Sequence, residues 1–340
     1  MNTLACQYAE QCAGCPWIKT KYSDQLLQKK TALNLALNSQ GIETPPTELL
    51  SIQTHEIRDR VDLTIKNVLG QMRVGFFNAE SKEILDIEFC LQMSPNLNLW
   101  YQEFRKALPP INQGSVRLRV SPNGERGIWL DFANLDVKNL LEEKTWLSAL
   151  MGKATVEIGQ KRKVLGIKED RLRLLDSEPK KWFETYDANG LPIPIYSAIG
   201  GFTQTGFAAN KKLVATILDF AKSTKLTEWT ELFCGSGNFT LALASLGYNV
   251  TATENDELAL SGLAASLKDH PDFKIEVIKA NAYSNSGRPE ISMTEGLLVD
   301  PPRSGLRQLI DQIGALNVDS RPKAIIYVSC FSDSFFQPFQ

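Results

Sequence analysis

Histidine is nearly absent from this chain: only His55 and His270 occur in 340 residues. That scarcity removes most histidine-based catalytic triads and multi-histidine metal sites. Long apolar runs are missing too, and no stretch approaches the length of a membrane-spanning helix. There is no excess of positive charge: 37 Lys and Arg stand against 39 Asp and Glu, a net charge of −2. This excludes a globally basic nucleic-acid binder but leaves room for a local basic face. Leu4-Ala5-Cys6 resembles the end of a lipoprotein signal, yet Met1 to Thr3 supply neither the charged start nor the apolar stretch of an export signal. The expectation is a cytoplasmic chain without membrane association, and no obligate protein partner is evident. Internal repeats and low-complexity segments are also lacking.

What is present begins with cysteine. Cys6, Cys12 and Cys15 form a C-x5-C-x2-C run, and Cys90 lies far downstream after an alternating stretch. Short loops can gather three sulfurs while the fold delivers a fourth. Sites with four cysteine ligands hold zinc or an iron–sulfur cluster, and spacing does not choose between them. A disulfide framework suits an exported chain better than this one. Four unrelated buried thiols are the plain alternative.

Lys21 to Gln40 reads as a helix with Leu26, Leu27, Leu33 and Leu37 apolar, stopped by Gly41 and followed by Pro45-Pro46. From Arg60 the pattern alternates, through Val61, Leu63 and Ile65, then Met72, Val74 and Phe76. Val116, Leu118 and Val120 alternate again, Asn123-Gly124 supplies a hairpin turn, and Ile128, Leu130 and Phe132 return. After about Ile195, helices and strands take turns. Lys211 to Ala221 is an amphipathic helix, and strands are expected at Thr230–Cys234, Asn249–Glu254, Lys274–Ala280, Gly296–Asp300 and Ala324–Cys330. The fold class is α/β. A cysteine-cluster segment with its helix spans 1–45, a β-rich domain contributing Cys90 spans 46–194, and a doubly wound, mostly parallel domain spans 195–340.

Glu231-Leu232-Phe233-Cys234-Gly235-Ser236-Gly237-Asn238-Phe239 follows a strand and opens a helix. Its glycines allow a tight turn and close backbone approach to a ligand. Alone, such a loop is weak. Glu254 strengthens it by ending the next strand about 20 residues on, where a carboxylate takes ribose hydroxyls. Asn281 ends the third strand, where an adenine edge is read. Nicotinamide sites favour G-x-G-x-x-G, and position 240 is Thr, so a methyl donor fits better.

Asp300-Pro301-Pro302-Arg303-Ser304-Gly305 ends the fourth strand. Enzymes that methylate exocyclic amines usually carry an aromatic after Pro-Pro; Arg303 stands there instead. Tyr327-Val328-Ser329-Cys330 brings a thiol to the same rim. A free cysteine is ordinarily a small buried hydrophobe, but a strand-end side chain faces the crevice. A thiolate suits one reaction well: added to carbon 6 of uracil, it makes carbon 5 nucleophilic enough to attack a methyl sulfonium. RNA cytosine enzymes typically place a second cysteine in the Asp-Pro-Pro segment, and none is here.

These motifs, in this order and across almost the whole chain, make it resemble the RNA uracil-5-methyltransferase family, above all 23S ribosomal RNA members with a [4Fe–4S] cluster. The specific parts are the four early cysteines, Phe202-Thr203-Gln204, the 232–239 loop, the 300–305 segment and 327–330. The resemblance implies a Rossmann-like domain using S-adenosyl-L-methionine. It implies an iron–sulfur cluster on Cys6, Cys12, Cys15 and Cys90, and a crevice lined by Gln204, Phe233, Asn238, Glu254, Asn281 and Asp300 around nucleophile Cys330. RNA, with 23S rRNA foremost, is the expected partner. Arg58 and Arg60, or Lys161, Arg162, Lys163, Lys168, Arg171 and Arg173, are the candidate basic face. Departures are Gly206 where an asparagine is usual and Phe331-Ser332 where Asn-Pro is usual. The family's general base, a glutamate well beyond the nucleophile, has no counterpart in the ten residues after Cys330. From this the expectations are missing C-terminal strands, poor solubility and little turnover. The alternatives are an impaired RNA-binding fragment, a tRNA uracil-5 enzyme or an RNA cytosine-5 enzyme.

Overall fold

A computed structural model describes residues 6–39, 41, 47–109, 111–131, 137–159, 162–284, 287 and 289–330. Pro45, Pro46, Phe132, Lys161 and the tail from Phe331 lie outside the described residues.

Helix α1 (Tyr22–Ser39) forms as its sequence predicts, but none of its residues is buried, and Leu27 and Leu35 face outward. An eight-stranded sheet follows, in the order β3-β2-β1-β4-β5-β6-β7-β8. Its strands are β1 (Arg60–Val68), β2 (Gln71–Phe77), β3 (Ile84–Asp86), β4 (Gln113–Val120), β5 (Arg126–Asp131), β6 (Thr155–Ile158), β7 (Lys163–Lys168) and β8 (Arg171–Asp176). The turn joining β1 to β2 places Leu69 and Gly70 at φ of 53° and 86°, the geometry that matches strand twist in a two-residue hairpin. Period-2 alternation puts Val61, Leu63, Ile65, Val116, Leu118 and Val120 on one buried face. Helix α2 (Pro95–Arg105) covers that face with Trp100, Tyr101 and Phe104. It starts cleanly because Ser94 Oγ accepts from Leu97 N and Pro95 needs no donor there. Helices α3 (Val137–Glu142) and α4 (Lys144–Met151) carry the crossover that makes β6 parallel to β5.

The hairpin of β9 (Lys180–Tyr186) and β10 (Pro192–Ser197) begins before residue 195 and runs across it. It packs in the second core all the same: Phe183, Ile193 and Ile195 meet Cys234, Leu241, Ala252 and Leu263. That core surrounds a five-stranded, all-parallel sheet in the order β13-β12-β11-β14-β15. Its strands are β11 (Glu228–Leu232), β12 (Asn249–Glu254), β13 (Ile275–Lys279), β14 (Gly296–Val299) and β15 (Ala324–Tyr327). Helices α5 (Phe207–Thr224), α6 (Asn238–Ala244), α7 (Glu257–Lys268) and α8 (Leu309–Gly314) accompany it. All five expected strands form, within a few residues of their expected ends. Strand order reverses between β11 and β14, so a crevice opens beyond their carboxyl ends, where ligands bind in sheets of this kind. Among the described residues no helix is long and apolar enough to cross a membrane.

Candidate functional site

The loop after β11 is shaped by three departures from ordinary backbone at alternate residues. Phe233, Gly235 and Gly237 have φ of 64°, 57° and 93°. Gly235 N donates to Glu254 Oε2 at 2.9 Å, and Glu254 Oε1 accepts from Asn255 N and Asp256 N. The carboxylate at the end of β12 thus ties the glycine loop to the start of α7, leaving a lone pair on Oε2 for a ligand hydroxyl. Gly237 admits no side chain: a Cβ there would sit 2.5 Å from Leu263 Cδ1. Positive φ plus that overlap predicts that Gly237→Ala costs about 1–3 kcal/mol. Urea unfolding should show it.

Asn238 opens α6, and its amide is engaged reciprocally with Asn210 of α5 at 2.8 Å each way. Asn281 follows β13 and is exposed, and its Oδ1 accepts from Tyr283 N at 3.0 Å. Tyr283 is a site residue that sequence reasoning missed. Its ring lies 5.1 Å from that of Phe233, and its hydroxyl donates to Gly305 O at 2.8 Å. It therefore links the glycine loop to the Asp-Pro-Pro segment. No recognisable spacing announces it.

Asp300 directly follows β14. Burial pushes its carboxyl up to about 7. Gln204 Nε2 donates to its Oδ2 at a long 3.5 Å. Glu231, deeper on β11, is pushed up to about 8 by burial, against the hydrogen bond with Thr240 Oγ1 at 2.5 Å and with Asp300 and Glu254 adding to the rise. Pairing of β14 with β15 runs on past the strand end, where Val328 N donates to Val299 O at 2.9 Å. This carries Cys330, which is exposed, to the same rim as Asp300. Tyr327 is raised above the usual phenol range first by burial and then by Tyr283, Cys330 and Asp300, groups that surround one locus.

Cys6, Cys12, Cys15 and Cys90 line a single cavity of ≈ 140 Å³ with apolar walls from Ile18, Phe76, Ile87, Phe89 and Met93. Gly14 N donates to Cys12 Sγ at 3.3 Å, and the backbone N–H groups of Gln92 and Met93 point at the Cys90 sulfur. Such N–H donors suit thiolates. The expectation that the sulfurs stand within reach of one ion is not met: among the described residues no group of three or more His, Cys, Asp or Glu forms a ready metal-ion site. Four thiolates on one zinc would lie about 3.8 Å apart, from a Zn–S bond near 2.3 Å.

The expected basic face is corrected in part. Arg60 is 9% exposed, its guanidinium packed over Phe202 at 5.7 Å, so it is no surface phosphate ligand. Arg162 pairs with Asp256 and Lys163 with Asp176. Lys168, Arg171 and Arg173 remain exposed on the hairpin of β7 and β8.

Comparison with known proteins agrees with this geometry. The family model tRNA (Uracil-5-)-methyltransferase matches residues 184–285. An uncharacterized RNA methyltransferase of Bdellovibrio bacteriovorus is 36% identical over 340 residues, covering 98% of this chain and 86% of that protein. A 23S rRNA (uracil(1939)-C(5))-methyltransferase of Marinomonas sp. is 26% identical, covering 96% and 71%. Among solved structures, Pyrococcus abyssi tRNA (uracil-54, C5)-methyltransferase in complex with S-adenosyl-L-homocysteine superposes with a TM-score of 0.61 at 18% identity, over 96% of this chain and 78% of that one. A likeness at that identity speaks for the fold, and the fold is that of an α/β methyltransferase. On the strength of the 36% relative and the uracil-5 enzymes among its kin, the chain belongs to the RNA uracil-5-methyltransferase family.

Proposed function

We propose that this protein transfers a methyl group from S-adenosyl-L-methionine to carbon 5 of a uridine in RNA, with 23S rRNA the first candidate. What supports the proposal is one arrangement: β11, β14 and β15, neighbours in one parallel sheet, lead at their carboxyl ends to the glycine loop, Asp300 and the exposed Cys330, and Gln204 Nε2 lies 3.5 Å from Asp300 Oδ2. The Cys330 thiolate adds to carbon 6 of the ring, and the electrons of the 5,6 double bond move onto the O4 enolate. Carbon 5 then attacks the donor methyl, whose bond to sulfur breaks. Loss of the carbon 5 proton to a base expels the thiolate and restores the double bond. Gln204 presents an amide that both donates and accepts, as the uracil edge requires. Gly235, Gly237, Asn238, Glu254 and Asn281 form the donor pocket, with the Phe233 and Tyr283 rings beside it. Cys6, Cys12, Cys15 and Cys90 are assigned to a [4Fe–4S] cluster, supported by their shared cavity; bound there, it would cross-link the N-terminal segment to the central sheet.

Single-turnover transfer of labelled methyl to unmodified 23S rRNA or tRNA, followed by nucleoside analysis, tests the reaction and its target together. Label in 5-methyluridine of 23S rRNA is expected. Label in 5-methylcytidine would overturn the base assignment, and label in tRNA alone would overturn the substrate.

Asp300 adds a pH signature. Below about pH 7 its carboxyl is neutral, and above it is ionised. S-adenosylmethionine carries a sulfonium charge that S-adenosylhomocysteine lacks. Donor affinity relative to product affinity should therefore rise between pH 6 and 8, by about tenfold for an interaction of about 1–2 kcal/mol at an effective dielectric near 20. Calorimetry with both ligands measures the ratio, and Asp300→Asn should flatten it.

A further inference from the structure

The face of β4 opposite the core carries Arg117 and Arg119, and both reach across to the turn of residues 198–203. Arg119 is fully buried. Its Nη1 donates to Ala198 O and Ile199 O at 3.1 Å each, and its Nη2 donates to Thr203 Oγ1 at 3.0 Å. Arg117 Nη1 donates to Gly200 O. From β6, Glu157, 1% exposed, accepts Gly200 N on Oε2 at 3.1 Å. The turn is pressed so closely on the sheet that a Cβ at Gly200 would lie 2.6 Å from Trp129 and 3.0 Å from Glu157. A second clamp follows at once. Asp59 N donates to Thr205 O at 3.0 Å, Asp59 Oδ2 accepts from Phe207 N at 2.9 Å, and a Cβ at Gly206 would lie 1.9 Å from Ile57 O. Gln204 is the residue held between the two clamps, and its side chain points at Asp300.

Such burial is poor economy if stability were its purpose. Taking charged side chains out of water is costly, and apolar residues of similar volume often hold such an interface as well. Arg119 Nε is itself buried without a partner, which costs stability. What a forked guanidinium and a buried carboxylate supply is direction: they fix backbone carbonyls and an N–H in one orientation. A glutamine has several rotatable bonds, and a misplacement of about 1 Å at a reacting group costs about 10²-fold in rate.

Resting on the proposed role of Gln204 at the target base, we infer that Arg119 and Glu157 are positioning residues: they hold the 198–203 turn from the central sheet and so set the aim of Gln204. The central sheet is then part of the catalytic apparatus, and its contribution lies in these two side chains.

The test uses the full chain and RNA carrying 5-fluorouridine, which traps the methylated adduct because fluorine cannot leave as a proton does. Variants are Arg119→Met, Arg119→Lys, Glu157→Gln, Gln204→Ala and Arg119→Met with Gln204→Ala. Hydrogen exchange of the Gly200 and Gly201 amides is followed alongside. Arg119→Met should lower the maximal adduct rate by about 10²-fold and leave S-adenosylhomocysteine affinity unchanged. Lysine should rescue poorly, lacking the fork. Gly200 exchange should quicken while amides of β11 keep their protection. Added to Gln204→Ala, Arg119→Met should cost nothing more. Additive losses, or exchange that quickens through the whole chain, would reduce Arg119 to a stability role and overturn the inference. A slow Gln204→Ala chain beside a fast Arg119→Met chain removes the inference alone. A Gln204→Ala chain reacting at the wild-type rate removes the base-site reading and the inference with it.

Discussion

Cys330→Ala is expected to abolish covalent capture of 5-fluorouridine RNA and to lower single-turnover methyl transfer by at least about 10⁴-fold, the order lost when a covalent nucleophile is removed. No alternative route to carbon 5 is open without addition at carbon 6, because the uracil ring alone does not attack a sulfonium at a useful rate. Cys234, the other cysteine of this half, offers no substitute: it is buried, and burial first, then Glu231 and Glu254, push its thiol well above the ordinary range. Cys330 is exposed on the rim. Cys330→Ser is the sharper control, since it keeps volume and hydrogen bonding while replacing the thiol by a far weaker acid. S-adenosylhomocysteine affinity should stay unchanged in both variants, as Cys330 does not belong to the glycine loop. Adduct formation surviving in the alanine variant would refute the assignment, and lost donor affinity would show a folding defect instead.

Much of this site is legible in the sequence because strand ends announce it. Runs such as Thr230–Cys234 and Gly296–Asp300 are short, apolar and closed by Gly or Pro, so the positions beyond them could be named before their geometry was known. Glu254 and Cys330 reach the rim for that reason. The central sheet was legible only on one face. Alternation placed Val116, Leu118 and Val120 inward correctly, and the same rule reads Arg117 and Arg119 as solvent-facing. Arg119 is instead 1% exposed, because a turn from a distant part of the chain covers the second face. Period 2 states which side chains share a face and nothing about what lies on it. Arg60 was misjudged by the same logic. Tyr283 was missed because it acts from an irregular segment, where no periodicity guides the eye. In α1, apolar spacing correctly predicted a helix, yet none of the described core touches it, so its leucines carried secondary-structure information without packing information.

The cysteine quartet carries the second large expected effect. Serine at Cys15 or Cys90 should abolish iron and sulfide binding to anaerobically purified protein and release the N-terminal segment from the central sheet. Among the described residues, other ties also hold that segment. Tyr8 Oη accepts from Glu88 N at 2.9 Å, Ala13 N donates to Phe77 O at 3.0 Å, Ala79 N donates to Gln11 O at 2.7 Å, Cys12 makes an isolated bridge to Asn78, and Tyr8 and Cys12 pack against the central core. These are a handful of hydrogen bonds worth about 1 kcal/mol each. A structural metal centre on cysteine thiolates supplies binding energy on the order of 10 kcal/mol, and that energy is folding energy wherever the ligands are otherwise loosely held. The variants should therefore expose residues before Lys21 to proteolysis while the parallel sheet keeps its protection, since the packing of the second core involves none of the four cysteines. Limited proteolysis and iron analysis on the same samples separate the possibilities. Stoichiometric zinc in place of iron would keep the four-thiolate site and overturn the cluster. Unchanged iron in Cys90→Ser would remove the downstream thiol from the ligand set, because a three-cysteine segment alone would then suffice. Unchanged proteolysis despite lost iron would mean that the few hydrogen bonds to the central sheet hold the segment unaided, and the centre's contribution to folding would have to be abandoned.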